Sequence, residues 1–341
     1  MEDLVYFYPV GHEGHFQVGH PERPERVEII VQALKEAGLW ESFLKINPKD
    51  VPSEFLATVH SQNYLDRLQD ACKWGDMLDA DTYTTPASWE LAMNSVGGAV
   101  AVAEAVWVKN ARKGFALCRP PGHHATRSGG MGFCLLNNIS LAAEYLITTQ
   151  HAKRLAILDF DLHHGNGTQD IFWTRSDVLY ISTHQSPLYP GSGSLFETGE
   201  GNGVGYTANF PLPPGSGDNA FSTLVSEIII PLLNRYQPEM ILISYGFDAH
   251  WKDPLGHLQL SAQGYGELIK NLWDWAENHC QGKVAIFLEG GYDLEAARAC
   301  SIAVVSALLG QEVYDPIGHS PRPEGESWRS VVKQAKQFWK I

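Results

Sequence analysis

The chain has no C-x-x-C pair, and its five cysteines (Cys72, Cys118, Cys134, Cys280, Cys300) are odd in number. That argues against a disulfide framework as the organising principle and leads one to expect a reducing compartment, the cytoplasm. No run of about 18 apolar residues is present, so no membrane-spanning helix is expected. The opening MEDLVYFYPV carries acids and no basic stretch, which speaks against a secretory signal. Basic residues are scarce: 25 Lys and Arg against 39 Asp and Glu give a formal charge of −14. Such a chain is a poor nonspecific phosphate binder and would attract cationic partners, so no direct nucleic-acid binding is expected. Repeats of 20–50 residues and linker-like tracts are also missing, so residues 1–341 read as one domain with a large core.

What remains is a succession of short apolar runs with helical segments between them. Candidate strands are Leu4–Tyr8, Phe115–Cys118, Leu155–Asp159, Val178–Thr183, Met240–Tyr245 and Val284–Leu288. Candidate helices are Glu25–Ala37, Ser88–Val108, Ile139–Thr148, Asn219–Asn234, Gly264–His279 and Leu294–Leu309. Alternation of this kind predicts an α/β fold, a central parallel sheet sandwiched by helices. Stretches rich in Gly and Pro at Arg119–Gly132, Pro187–Gly205 and Pro211–Gly217 read as loops that build a site.

Polar residues follow five of those strands. LAILDFDLHHGNGTQ places Asp159, Asp161, His163 and His164 after an apolar run. Read as extended chain, Asp159, Asp161 and His163 share one side and converge. Crowded carboxylates and an imidazole at a strand end repel one another and lose hydration unless a cation joins them, so a metal site is expected. RPPGHHATRSGGMGF carries the tandem His123 and His124; Ser182 and His184 follow the next strand; GFDAH supplies Asp248 and His250; EGGYD supplies Tyr292. In an open α/β sheet ligands collect at the carboxyl ends of the strands.

Asp161, His163 and Asp248 form a three-ligand set of the kind a catalytic zinc takes, with one position left open. Hydrolysis there needs a base for water and an acid for the leaving group. If Asp159 holds His123 and Asn166 holds His124, the carboxylate favours imidazolium at His123, while the neutral amide leaves His124 free to accept a proton. His124 is then the general base and His123 its charged partner. Tyr292, after Gly290-Gly291, sits on a loop expected to be free to move, and its phenol can stabilise an oxyanion. Phe133 and Tyr189, in Gly-rich loops with Gly132, are expected to wall a narrow channel for an alkyl chain. His164 is expected to pack or hydrogen-bond behind the site. His12, His15, His20, His60, His151, His257, His279 and His319 are read as surface or structural.

Taken in order, HPERPERV, RPPGHHA, GFCLLNN, DFDLHHGNGTQ, YPGSG, GFDAH with DPLG, and EGGYDL resemble the histone deacetylase superfamily, which includes acetylpolyamine amidohydrolases. The resemblance runs from about His20 to Leu309. It implies the arginase/deacetylase fold and zinc-dependent deacetylation of acetyllysine or an acetylated small amine. It implies that Asp161, His163 and Asp248 bind zinc, that Phe133 and Tyr189 wall the channel, and that Asp81 lies near the rim where substrate is contacted. It further implies a structural monovalent cation, usually potassium, at Asp159, Asp161, His163, Ser182 and Thr183, and a second around Phe172, Arg175, Val178 and Tyr206. Asn166 and Leu255 make the chain similar to class II members; Leu255 stands where polyamine-specialised relatives carry an acid. Two alternatives stay open: a binuclear manganese ureohydrolase of the same fold, and a module that binds acetylated ligands without turnover. Oligomeric state is not readable.

Overall fold

The computed structural model describes residues 2–341. Its frame is a sheet of eight strands: β1 (Glu2–Phe7), β2 (Phe43–Lys45), β3 (Ala111–Ala116), β4 (Leu155–Asp159), β5 (Val178–Gln185), β6 (Thr207–Leu212), β7 (Met240–Tyr245) and β8 (Val284–Leu288). All pairings are parallel, in the order β2-β1-β3-β8-β7-β4-β5-β6.

The helices are α1 (Glu25–Glu36), α2 (Ser53–Leu56), α3 (Gln62–Trp74), α4 (Ser88–Trp107), α5 (Asn138–Thr148), α6 (Asn166–Phe172), α7 (Asp218–Leu224), α8 (Ile230–Tyr236), α9 (Ala262–His279), α10 (Leu294–Leu308) and α11 (Trp328–Trp339). They cover both faces. Residue alternation along β4 assigns the layers: Ala156 and Leu158 join the core beneath α1, α9 and α10, whereas Leu155 and Ile157 join the one beneath α4 and α5. Every residue of β4, β5, β7 and β8 is buried, as two covered faces require.

The six sequence-predicted strands all lie within or across observed strands, but two edge strands went unread. β2 has three residues. β6 contains Pro211, tolerated because this strand is an edge of the sheet, so the loop expected from Pro211 begins later. β3 starts four residues before the expected Phe115, because Arg112, Lys113 and Gly114 hide its apolar pattern. The helix expected at Asn219–Asn234 is α7 and α8 joined by a π turn at Val225–Ile229. α3 was missed although Ser61 caps its start, accepting from Tyr64 N, and Gly75 at φ 73° closes it.

A candidate metal centre at the strand ends

The floor of the site is built by β4 and β7, neighbours in the sheet. β4 stops at Asp159 and the chain bends, so the extended-chain alternation expected to bring Asp159, Asp161 and His163 to one point does not hold. Asp159 Oδ1 accepts the Asp161 N–H at 3.2 Å, and its Oδ2 is 3.0 Å from His123 Nδ1 and 3.1 Å from the Tyr180 hydroxyl. Asp159 therefore serves the histidine loop, and the cluster past the bend consists of Asp161, His163 and Asp248. One ligand atom from each of these three lies within 4.8 Å of the others. His163 Nδ1 is 3.2 Å from Asp161 Oδ1 and 3.3 Å from Asp248 Oδ2.

These residues fit a divalent cation. Two buried carboxylates face one imidazole nitrogen, a donor set of two oxygens and a nitrogen. Asp248 Oδ2 is buried and, among the described residues, has only the 3.3 Å approach of His163 Nδ1 and no well-formed hydrogen bond, so a cation between the two would meet both. The other carboxylate oxygens are aimed by the backbone: Leu162 N–H donates to Asp248 Oδ1 (2.9 Å) and Gly290 N–H to Asp161 Oδ2 (2.8 Å). A Cβ at residue 290 would stand 2.2 Å from Asp248 Oδ2, so only glycine lets that loop close over the cluster.

The tandem histidines enter from the loop after β3. Their rings lie 4.0 Å apart between centroids. His124 Nδ1 is 2.8 Å from Asn166 Oδ1 at the start of α6. Burial acts most strongly to lower the pKa of His123, but the Asp161 and Asp159 carboxylates outweigh it and hold His123 well above the ordinary histidine range. At His124 burial, with the charge of His123 added, pushes the other way, well below that range. Glu289, fully buried, ties the loop down by accepting Gly122 N–H (2.7 Å), His123 N–H (3.0 Å) and the Ser244 hydroxyl (2.9 Å).

Above the cluster lies a cavity of about 230 Å³ lined by Asp81, His124, Gly132, Phe133, His163, Leu188, Tyr189, Leu255 and Tyr292. The structure thus gathers every residue expected to contact substrate, the rim residue Asp81 included. Phe133 meets Tyr292 edge-on at 5.7 Å, and Tyr189 meets His124 at 5.3 Å. Phe133 occupies φ 70°, a conformation costly for an aromatic residue, and its N–H donates to Thr82 Oγ1 at 3.0 Å. At Gly132 a Cβ would come within 2.5 Å of His124 Cδ2.

The loop of Tyr292 is hydrogen-bonded along its length: Arg26 donates to the carbonyls of Glu289 and Gly291, Gly290 N–H to Asp161, and Tyr292 N–H to Asp253. The Arg26 guanidinium also lies 4.9 Å from the Tyr292 ring centroid. Arg26, Asp253 and Glu289 were not singled out from the sequence, although each sits inside a quoted motif. His20 was read as surface or structural, yet its ring lies 4.6 Å from Phe133 and its Nε2 is 3.0 Å from the Asp81 carbonyl.

His164 turns away from the cluster: Nδ1 is 2.8 Å from Ser192 Oγ and Nε2 3.0 Å from Gln169 Oε1. Around the expected monovalent-cation segment, Asp159 and Ser182 are register partners, Ser182 Oγ is 2.9 Å from His184 Nδ1, and the Thr183 hydroxyl reaches the Asp159 carbonyl at 3.5 Å. At the second expected position, the Tyr206 carbonyl accepts Tyr180 N–H and the Phe172 carbonyl accepts Arg175 N–H.

A buried carboxylate–imidazole cluster thus lies at the strand ends of a parallel sheet, beneath an aromatic channel. The histone deacetylase domain model matches residues 20–308, and the chain belongs to that family. A protein of Archaeoglobus fulgidus named probable deacetylase is 42% identical over 294 residues, 85% of this chain and 82% of that one. The histone deacetylase-like amidohydrolase of Pseudomonas aeruginosa is 37% identical over 305 residues, 88% of this chain and 80% of that one. The crystal structure of the HDA15 HD domain matches with a TM-score of 0.90 at 32% identity, covering 99% of this chain and 94% of that one. The chain has their fold and is a deacetylase-type hydrolase of their family.

Proposed function

We propose that this chain is a zinc-dependent amidohydrolase that removes acetyl groups from amines on flexible alkyl chains, acetyllysine or an acetylated small amine. The convergence of Asp161, His163 and Asp248 at the floor of a narrow channel, with His124 and Tyr292 at its sides, carries the reading. Those three residues would hold the ion. Bound there, zinc would polarise an amide carbonyl and acidify a water.

The chain's own groups divide the remaining work. With Nδ1–H of His124 donated to Asn166, its Nε2 is the free acceptor and takes the proton of the attacking water. His123, held charged between Asp159 and Asp161, stabilises negative charge as it develops. The proton on His124 then passes to the leaving amine. Tyr292 donates its hydroxyl to the oxyanion. Phe133, Tyr189, Gly132 and Leu255 exclude water around the alkyl stem, and Asp81 meets the substrate at the rim. A structural monovalent cation, with Asp159, Asp161, His163, Ser182 and Thr183 around it, belongs to the same reading. The outward turn of His164 supports one catalytic metal over two, and the full set of His123, His124 and Tyr292 supports turnover over mere binding.

The test is a side-by-side kinetic comparison on acetyllysine peptides, acetylated polyamines and longer acyl-lysines, with and without a chelator. Chelator-sensitive turnover of an acetylated amine is expected. Turnover indifferent to chelation would refute the metal-dependent reading.

A further inference from the structure

Asp253 holds two walls of the channel with one carboxylate. It is 5% exposed, on the loop after β7. Its Oδ2 accepts Tyr292 N–H at 2.7 Å and Asp293 N–H at 3.2 Å, and its Oδ1 accepts Leu255 N–H at 3.0 Å. Leu255 and Tyr292 both line the cavity, yet they come from loops that follow different strands, β7 and β8. Asp293 caps the start of α10, its side chain accepting Ala296 N–H at 2.8 Å. The Tyr292 backbone is thus clamped between Asp253 and the first turn of a helix.

We propose that Asp253 is a positioning residue for catalysis: by anchoring the Tyr292 and Leu255 backbones together, it sets where the Tyr292 hydroxyl stands relative to the reacting carbonyl. The inference rests on the oxyanion role given to Tyr292 above. A carboxyl group suits the task because both of its oxygens accept N–H groups here. An asparagine of the same shape has one accepting oxygen, and its NH₂ would face an N–H, so one wall must come free. Displacement of a catalytic group by about 1 Å costs on the order of 10²-fold in rate.

The experiment is a double-mutant cycle on the metal-loaded protein: wild type, Asp253→Asn, Tyr292→Phe and the double variant, with kcat and KM measured on a slow acetyl-amide and metal content checked. Asp253→Asn is expected to lower kcat about tenfold with KM within about twofold, and to lower it less than about twofold once Tyr292 is Phe. An equal loss in both backgrounds, a loss confined to KM, or no loss would overturn the proposal. Full kcat in Tyr292→Phe alone would instead overturn the role of Tyr292, and the positioning role with it. If Asp253→Asn does not fold, Asp253→Ser replaces it in the same cycle and is read by the same ratio.

Discussion

His124 Nδ1 stands 2.8 Å from the amide oxygen of Asn166. Its neighbour His123 instead faces the carboxylate of Asp159 at 3.0 Å. The two adjacent imidazoles receive opposite electrostatic treatment: against its burial, the Asp161 and Asp159 carboxylates raise the pKa of His123, whereas burial and the charges of His123 and His163 lower that of His124. A base must be neutral to accept a proton, so Asn166→Asp, which favours imidazolium at His124, should move the acidic limb of the kcat/KM profile to higher pH. A profile that stays put in a folded, metal-loaded variant would refute the pairing as a catalytic device.

The same division predicts unequal losses from the two histidines. His124→Ala should cost more turnover than His123→Ala, with metal retained in both. Equal losses in steady-state kinetics would mean that the two rings act as one unit.

Tyr292→Phe removes one hydroxyl and leaves the ring against Phe133 and Arg26. A fall in kcat of about 10²-fold is expected, the scale of a lost oxyanion donor, with KM little changed. A near-normal kcat on a slow amide would take Tyr292 out of the mechanism.

His60 offers a stability test away from the metal cluster. It is fully buried, with Nδ1 2.8 Å from the Thr126 carbonyl and Nε2 accepting Asn137 N–H at 3.0 Å, an arrangement only the neutral ring satisfies. Burial pushes its pKa down to about 4. Below the unfolded value of about 6.5 the unfolded chain takes up a proton that the native ring refuses, so stability falls as pH drops from about 6.5 to 4, by roughly 3 kcal/mol for this group. Urea unfolding at both ends of that window should show a smaller pH-dependent loss in His60→Gln than in wild type. Parallel losses in the two proteins would contradict this.

Much of this was legible because function here sits at strand ends. The buried runs of β4, β5, β7 and β8 are continuous and apolar, and the motifs that follow them supply Asp161, His163, Asp248 and Tyr292. Charge gives the consequence of pairing His124 with Asn166, a neutral ring beside a charged one, but the pairing itself comes from the fold. What escaped detection depends on tertiary contact. The bend after Asp159, which separates it from the metal cluster, has no signature in alternation. Edge strand β6 reads as a turn because of Pro211. Arg26, Asp253 and Glu289 act on loops distant in sequence through backbone N–H and carbonyl groups, for which residue type gives no sign.

The ligand assignment predicts that Asp161→Ala and Asp248→Ala lose metal and activity together, since each removes a charged ligand from a buried cluster. Elemental analysis of the purified variants checks it; full metal content in either would remove that residue from the set.

The most direct test of the central claim is a metal titration. Protein stripped with a chelator is titrated with zinc while hydrolysis of an acetyllysine peptide is followed. Activity should rise from background and level off near one zinc per chain. Full activity in the stripped protein, or a plateau that requires two metal ions per chain, would contradict a single zinc held by Asp161, His163 and Asp248.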